Sequence, residues 1–232
     1  MSGTRQAGPM RAALYWAPEL DDPLHRLGSE WLGRDAETGA TVRQPAVPGL
    51  DLAALTDDPR GYGLHATLKP PFRLAAPFPA MLDEAAALAA GTAPFDLPPL
   101  ELVSLGGFLA LRESAPCPAL QGLADACVAT LDAYRAPPTE AEIARRRPER
   151  LDAAGRYNLH RWGYPQVFGA WRFHVTLTRR LTPEQDAAIR PALLAHLGDV
   201  PARPRRVTSL CIFTQAAPGA PFLIGERLPL GG

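Results

Sequence analysis

The 232-residue sequence lacks the features that several large classes of protein require. Its three cysteines, Cys117, Cys127 and Cys211, form no C-x-x-C pair, so neither a disulfide framework nor a zinc ribbon is indicated. The chain has no apolar run of about 18 residues, and Met1 to Met10 has no apolar core of signal-peptide length. We therefore expect a cytoplasmic protein that does not bind membranes.

Net charge is also absent, because 24 basic residues balance 24 acidic ones. A zero formal charge argues against a broad, non-specific nucleic-acid or membrane surface but leaves room for a local basic pocket. The five histidines show no H-x-x-x-H spacing and no adjacent carboxylate cluster. The sequence therefore predicts no metal site and no cofactor, and it favours no particular oligomeric state.

A short phrase, His-x-Thr-Leu, is present twice, beginning at His65 and at His174. A single histidine beside a threonine in a strand is usually a partly buried side chain that the hydroxyl satisfies. Two of five histidines in identical settings are improbable as an accident of composition. The duplication therefore favours a functional role for both copies.

Each phrase has the alternation of a β-strand, in which residues two apart share a face. His65, Thr67 and Lys69 are predicted to share one face, and His174, Thr176 and Thr178 to do the same in the second copy. Two imidazoles can divide acid and base catalysis between them near neutral pH. Threonine hydroxyls can donate to the non-bridging oxygens of a phosphate, and Lys69 adds a positive charge. This set suits in-line displacement at phosphorus.

The surrounding elements repeat as well, with a His-bearing strand, a helix and two strands in each half. We predict an α+β fold in one bilobal domain, residues 1–232, whose halves of approximately 11–115 and 116–232 pack about a pseudo-twofold axis. Before the first motif, residues 34–60 are predicted to be a loop, and residues 148–169 show no assignable pattern. The predicted segments are strands at 11–17, 95–105, 108–111, 205–213 and 222–228, and helices at 23–32, 79–90, 118–134 and 183–197.

The paired motifs resemble the 2H phosphoesterase superfamily, which includes RNA 2′,3′-cyclic phosphodiesterases and 2′–5′ RNA ligase-like proteins. Further phrases resemble the DUF1045 family, bacterial proteins found with phosphonate-utilisation genes, across about residues 11 to 215. Gln166 departs from an aromatic position of that family, which leaves specificity open. The phrases are Tyr15-Trp16-Ala17-Pro18, Trp31 to Asp35, Tyr62 to Phe72, Arg135-Ala136-Pro137, Ala141 to Arg146, Arg161 to Pro165 and Phe173 to Thr178.

The resemblance implies a bilobal 2H phosphoesterase-like fold with two antiparallel sheets, flanked by helices, around a central cleft. It implies that His65 and His174 are the acid and base, in either order, that Thr67 and Thr176 bind the phosphate, and that no metal is needed. Residues near these phrases are candidates for substrate binding, each with a purely structural alternative: Lys69, Tyr15, Tyr62, Arg60, Arg145, Arg146 and Tyr164.

The leading functional hypothesis is a metal-independent cyclic phosphodiesterase that opens a ribose-type cyclic phosphate in phosphonate utilisation. Its partner would be a small phosphorylated sugar or a nucleotide cyclic phosphate. An RNA 2′,3′-cyclic end, or a 2′–5′ ligase-like reaction, is the alternative within the same chemistry. A non-catalytic protein that binds a phosphorylated metabolite is the alternative from another class, and a metallohydrolase is disfavoured.

Overall fold

The computed structural model describes residues 11–232, which form an α+β fold. Its strands within that range are β1 (Arg11–Trp16), β2 (Ala66–Arg73), β3 (Phe95–Leu97), β4 (Leu100–Leu105), β5 (Phe108–Glu113), β6 (Val175–Thr176), β7 (Arg205–Val207), β8 (Ser209–Gln215) and β9 (Leu223–Pro229). Its helices there are α1 (Pro23–Leu32), α2 (Leu52–Leu55), α3 (Asp57–Tyr62), α4 (Phe78–Ala90), α5 (Pro118–Thr130), α6 (Glu140–Arg145), α7 (Ala153–Trp162) and α8 (Pro183–Leu197).

Seven strands form one antiparallel sheet in the order β4-β5-β6-β2-β1-β8-β9. The predicted α+β class, with antiparallel sheets flanked by helices, is confirmed. The large sheet, however, is continuous across both halves of the chain, because β6 of the second half pairs with β2 of the first. The pairing of those two strands consists of one residue pair, Ala66 with Val175.

The predicted repeat is confirmed in the order of elements and extended by one short strand in each half. β2, α4, β3, β4 and β5 follow one another in the first half, and β6, α8, β7, β8 and β9 in the second. The predicted strand over residues 95–105 is divided at Pro98-Pro99, which have no backbone N–H to donate to a ladder. The strand over 205–213 is likewise divided, at Thr208. The two short pieces, β3 and β7, pair with each other as a second antiparallel sheet.

Helix starts follow local chemistry that is visible in the sequence. Thr182 and Thr139 each form a capping box with the glutamine or glutamate three residues on, at the start of α8 and α6. The prediction of a loop over 34–60 is wrong at its end, where α2 and most of α3 lie. Asp51 caps α2 by accepting a hydrogen bond from the Ala54 N–H. The unassigned segment 148–169 contains α7, whose cap is Asp152.

The two faces of the large sheet bury different clusters. On one face, alternate residues of β1 (Ala12, Leu14 and Trp16) join the main core under the helices. On the other face, the intervening β1 residues join a smaller cluster that includes two phenylalanines. That smaller cluster consists of Ala13, Tyr15, Ala17, Ala36, Cys211, Phe213 and Phe222. Its aromatic rings adjoin the first histidine motif. No helix within residues 11–232 is both long and apolar enough to cross a membrane.

Candidate active site

The two His-x-Thr motifs lie side by side on adjacent strands of the large sheet. The central residue of the first motif, Ala66, pairs with the central residue of the second, Val175, and the strands are antiparallel. Antiparallel register therefore sets His65 opposite Thr176, and Thr67 opposite His174. The intervening side chains Ala66 and Val175 are fully buried in the core. The predicted alternation is thus correct for the histidine and threonine of both motifs. It does not extend to Thr178, which is buried and whose hydroxyl accepts from the Leu109 N–H.

Both imidazoles are held by the same backbone contact. The Nδ1 atom of His65 lies 2.9 Å from the carbonyl oxygen of Gly63, and that of His174 lies 2.9 Å from the carbonyl oxygen of Arg172. A carbonyl oxygen only accepts, so Nδ1 is the protonated nitrogen in each ring. Each Nε2 is consequently left to exchange a proton with a ligand. The Nε2 atom of His65 also lies 3.4 Å from the Thr67 hydroxyl oxygen.

His65 is surrounded by aromatic rings. Tyr15 stacks on it with a centroid separation of 4.0 Å and an interplanar angle of 24°, and Tyr62 and Phe213 lie 5.8 and 5.9 Å away. Burial among these groups lowers the pKa of His65 from 6.5 to about 4, and the positive charge of a protonated His174 acts in the same direction. The hydrogen bond to Gly63 opposes the shift. His65 is therefore neutral at physiological pH.

His174 has more polar surroundings. Its nearest aromatic contact is Phe108, with ring centroids 6.0 Å apart and tilted by 50°. A half-buried carboxylate, Glu113, lies within its electrostatic influence, and burial raises the pKa of that carboxyl while Arg112 and His174 act to lower it. One carboxylate oxygen of Glu113 is buried without a hydrogen-bond partner among the residues that the structure describes. The imidazole of His174 thus lies near charged groups, whereas that of His65 is surrounded by aromatic rings.

The third position of the first motif leaves the shared face, so the prediction that Lys69 lies beside His65 and Thr67 is wrong. Tyr15 pairs with Thr67 but Leu14 pairs with Lys69, which means that β2 contains one extra residue at this point. Such a bulge reverses the alternation, and Lys69 points to the same side as the core residue Leu14. Its ammonium is 2% exposed, donates to the Val128 carbonyl and pairs with Asp132 at 3.9 Å. Burial lowers its pKa to about 8.

Arg60 is engaged by contacts within the fold, and its role in substrate binding stays a prediction. Its guanidinium donates to the carbonyl oxygens of Leu32 and Ala53 and to the Thr56 hydroxyl at 2.7 to 2.9 Å. These contacts fasten α3 to the end of α1 and to α2. Because its Nε and Nη2 atoms donate to backbone and hydroxyl oxygens, Arg60 has a structural role.

A pocket of about 170 Å³ opens at the first motif and reaches the second motif at Thr176. Four of the predicted substrate-binding residues line it: Tyr15, Tyr62, Arg146 and Tyr164. The Arg146 guanidinium lies over the Tyr164 ring, 4.5 Å from its centroid. Tyr15 is only 1% exposed, and its ring packs against both His65 and Phe213. It therefore helps to hold the imidazole in place. The complete lining is Tyr15, Asp58, Pro59, Tyr62, His65, Thr67, Pro70, Pro71, Arg146, Tyr164 and Thr176.

Arg145, the remaining predicted binding residue, lines a second pocket of about 420 Å³ next to the first. Tyr62, Pro71 and Arg146 line both pockets, so the two are contiguous. Other residues of this region have no distinctive sequence pattern. Phe213 packs against His65, and Arg11 and Arg73 line the second pocket. Only their place in the sheet, on β8, β1 and β2, brings them there.

Titratable side chains are not arranged for metal binding in the described part of the chain. Within residues 11–232, no three histidine, cysteine, aspartate or glutamate side chains are grouped so that they could hold a metal ion. Two of the other histidines have structural contacts: His196 bonds through Nε2 to the Leu27 carbonyl, and His25 lies 3.4 Å from Asp35.

Comparison with known proteins places this arrangement in a family context. The profile described as "Protein of unknown function (DUF1045)" matches residues 67–223. Two curated proteins named ribose 1,5-bisphosphate phosphokinase PhnN are similar to the chain. The one from Janthinobacterium sp. (strain Marseille) is 40% identical over 232 residues, 96% of this chain and 51% of that protein. The one from Laribacter hongkongensis (strain HLHK9) is 35% identical over 216 residues, 92% of this chain and 50% of that protein.

The chain therefore spans about half the length of these curated relatives. Among solved structures, the crystal structure of E. coli LigT complexed with 3′-AMP has a TM-score of 0.48 at 14% identity. A structure described as that of a phosphoesterase has a TM-score of 0.44 at 15% identity. Each alignment covers 97% of this chain and 100% of the other.

Proposed function

The chain belongs to the DUF1045 family, and from that premise we propose that it is a phosphoesterase that opens a ribose-type cyclic phosphodiester without a metal ion. One observation carries the proposal. Two imidazoles on adjacent strands are each anchored through Nδ1 to a backbone carbonyl, each with Nε2 left for a ligand and each opposite the other motif's threonine. Binding alone does not require two histidines prepared in this matched way.

The unequal surroundings of the two rings assign their roles in this proposal. His65, whose pKa is lowered to about 4, is unprotonated near pH 7 and takes a proton from the attacking water through Nε2. The water oxygen bonds to phosphorus as one ring P–O bond breaks. His174 gives a proton to the departing ring oxygen, and a phosphate monoester results. Thr67 and Thr176 donate to the non-bridging oxygens, whose negative charge rises in the transition state.

The substrate class draws support from the named relatives and from the balanced charge of the chain. Those relatives carry a name that refers to a ribose bisphosphate, which fits a small ribose phosphate in phosphonate utilisation. The kinase activity in that name is not part of the proposal, because the chain spans only half of those proteins. The only lysine in the sequence, Lys69, also does not stand in a G-x-x-x-x-G-K-[ST] phosphate loop.

The test is a metal-free assay of a panel of cyclic phosphates. Purified protein would be incubated in EDTA with ribose 1,2-cyclic phosphate and nucleoside 2′,3′-cyclic phosphates, and the products followed by phosphorus NMR. We expect ring opening that falls by about 10²- to 10⁴-fold in both His65→Ala and His174→Ala. His160→Ala, an exposed histidine on α7, is the matched control and should retain wild-type activity.

Three results would redirect the proposal. A strong preference for an oligoribonucleotide 2′,3′-cyclic end would favour the RNA alternative. Tight binding of a cyclic phosphate that is recovered unchanged would favour a metabolite-binding protein. Activity that EDTA abolishes would contradict the two-histidine mechanism.

A further inference from the structure

The 420 Å³ pocket beside the histidines is rich in arginine and has one acidic residue in its lining. Five guanidinium groups line it against a single carboxylate, Glu142. The complete lining is Arg11, Tyr62, Pro71, Phe72, Arg73, Arg135, Ala136, Pro138, Glu142, Arg145, Arg146 and Gly163. The arginines come from β1, β2, the segment after α5, and the end of α6. Their convergence is a product of the fold, because only Arg145 and Arg146 are adjacent in the sequence.

Two of the five guanidinium groups are neutralised within the protein. Arg73 donates to both carboxylate oxygens of Glu142 at 3.3 Å, and this contact is the main reason that the pKa of Glu142 falls to about 2. Arg135 donates to Asp132 at 2.8 Å, and Asp132 also accepts from Arg161. In each pair the arginine and the carboxylate neutralise each other's charge, and both pairs hold the wall of the pocket in place.

The other three, Arg11, Arg145 and Arg146, form no ion pair with any residue between 11 and 232. Arg11 donates through Nε to Gln215, and Arg145 donates through Nε to the Ala141 carbonyl. Their terminal nitrogens are thus available to an anion. Arg146 lies over Tyr164 at the junction with the histidine pocket. Arginine is well suited to such a task because its planar fork binds phosphate oxygens in pairs.

We propose that this pocket binds a second phosphate group of the same substrate, a terminal monoester, while the cyclic phosphate occupies the histidine pocket. The inference rests on the proposed function and narrows its substrate to a ribose-type cyclic phosphate that carries a further phosphate elsewhere on the sugar. Arg146 lines both pockets and contacts the substrate between its two phosphates. Arg11 and Arg145 bind the monoester, whose double negative charge matches two unpaired guanidinium groups.

The test uses two matched pairs of substrates that differ only in the second phosphate. One pair is ribose 1,2-cyclic phosphate with and without a 5-phosphate, and the other is adenosine 2′,3′-cyclic phosphate with and without a 5′-phosphate. In at least one pair, the phosphorylated member should have a kcat/KM about 10- to 100-fold higher, as charge-assisted hydrogen bonds imply. The double variant Arg11→Gln/Arg145→Gln should lose most of this preference. Arg203→Gln, whose exposed side chain pairs with Asp199 outside both pockets, should keep it.

The outcomes separate this inference from the function on which it rests. Equal kcat/KM values within both pairs would overturn the second-phosphate site while the phosphodiesterase stands. A preference for an oligoribonucleotide over the phosphorylated sugar, lost in the same double variant, would instead assign the arginines to an RNA backbone and also overturn it. If no member is turned over, the phosphodiesterase proposal fails, and equilibrium binding of each pair decides the inference. Equal affinity of wild type and double variant for the phosphorylated member would then contradict it.

Discussion

His65 and His174 share a motif and an anchoring hydrogen bond, yet their surroundings differ in kind. Rings of Tyr15, Tyr62 and Phe213 surround His65, so its cation is poorly solvated. His174 has one tilted aromatic neighbour and the carboxylate of Glu113 in its vicinity. A duplicated motif therefore supplies two side chains of equal geometry, and the neighbouring strands make them chemically unequal. That inequality is what a pair of catalysts needs when one takes a proton and the other gives one.

Removal of each histidine in turn is the strongest test of this inequality. His65→Ala and His174→Ala should each lower kcat/KM by about 10²- to 10⁴-fold, but they should change the pH profile differently. Without the base at His65 the decline on the acidic side should disappear, whereas His174→Ala should keep that decline at a lower rate. The measurement is kcat/KM on a cyclic phosphate between pH 4 and 9. Loss of the acidic decline in His174→Ala and not in His65→Ala would exchange the proposed roles.

Removal of the ring over His65 tests whether burial sets its pKa. Tyr15→Ala should raise the pKa of His65 from about 4 towards 6.5, and the acidic limb of kcat/KM should move up with it. The substitution also removes a buried ring, so we expect it to lower the free energy of unfolding by about 3 kcal/mol. Folding would be checked by circular dichroism at the assay temperature. Phe108→Ala, beside His174, is the matched control, and an acidic limb that moves equally in both variants would contradict the explanation.

The same pKa difference makes the stability of the fold depend on pH. His65 binds a proton below pH 6.5 when unfolded but only below about 4 when folded, so the unfolded state holds more protons between these values. The contribution of His65 to stability is therefore complete above pH 6.5 and is lost as the pH falls towards 4. We expect the wild-type Tm to drop more than that of His65→Ala between pH 7 and 4.5. An identical drop in the two proteins would show that His65 titrates normally in the fold.

Substitution of Lys69 should have the smallest effect, because this third position of the motif is buried whereas His65 and Thr67 line the pocket. Lys69→Met should change kcat/KM by no more than a few-fold, since the ammonium faces Val128 and Asp132 on the core side. Asp132 keeps two arginine partners, so the free energy of unfolding should fall by less than about 2 kcal/mol. Steady-state kinetics and denaturant unfolding provide the measurements. A hundredfold loss of activity in a folded Lys69→Met variant would show that Lys69 takes part in the reaction or in substrate binding.

Local pattern was sufficient to predict the parts of the site that depend on alternation within one strand. His65, Thr67, His174 and Thr176 share a face because Ala66, Leu68, Val175 and Leu177 must be buried, and that preference is visible in sequence. It fails at Lys69, because pairing with β1 sets the position of a bulge in β2, although Pro70-Pro71 in the same strand is a local signal of irregular pairing.

Contacts between segments that are distant in sequence account for the features of the site that the sequence did not predict. Arg60 is held by carbonyl oxygens of Leu32 and Ala53, and no local pattern shows that those oxygens lie within its reach. Phe213 lies 148 residues from His65 in the sequence, yet their ring centroids are 5.9 Å apart. Arg11 joins Arg145 in one pocket only because β1 is inserted beside β2. The repeat of elements predicted where the histidines would meet, but not which rings and guanidinium groups would surround them.

The position of β1 in the sheet has a consequence for how the chain folds during synthesis. β1 is made long before β8, yet one of its edges pairs with β8, so that Arg11 meets Gln215. A nascent chain must hold that edge unpaired until β8 has left the ribosome, and pairings so distant in sequence form slowly. Unpaired strand edges invite association with other chains. The sheet that brings the two histidines together should therefore be completed slowly, and only after β8 has been synthesised.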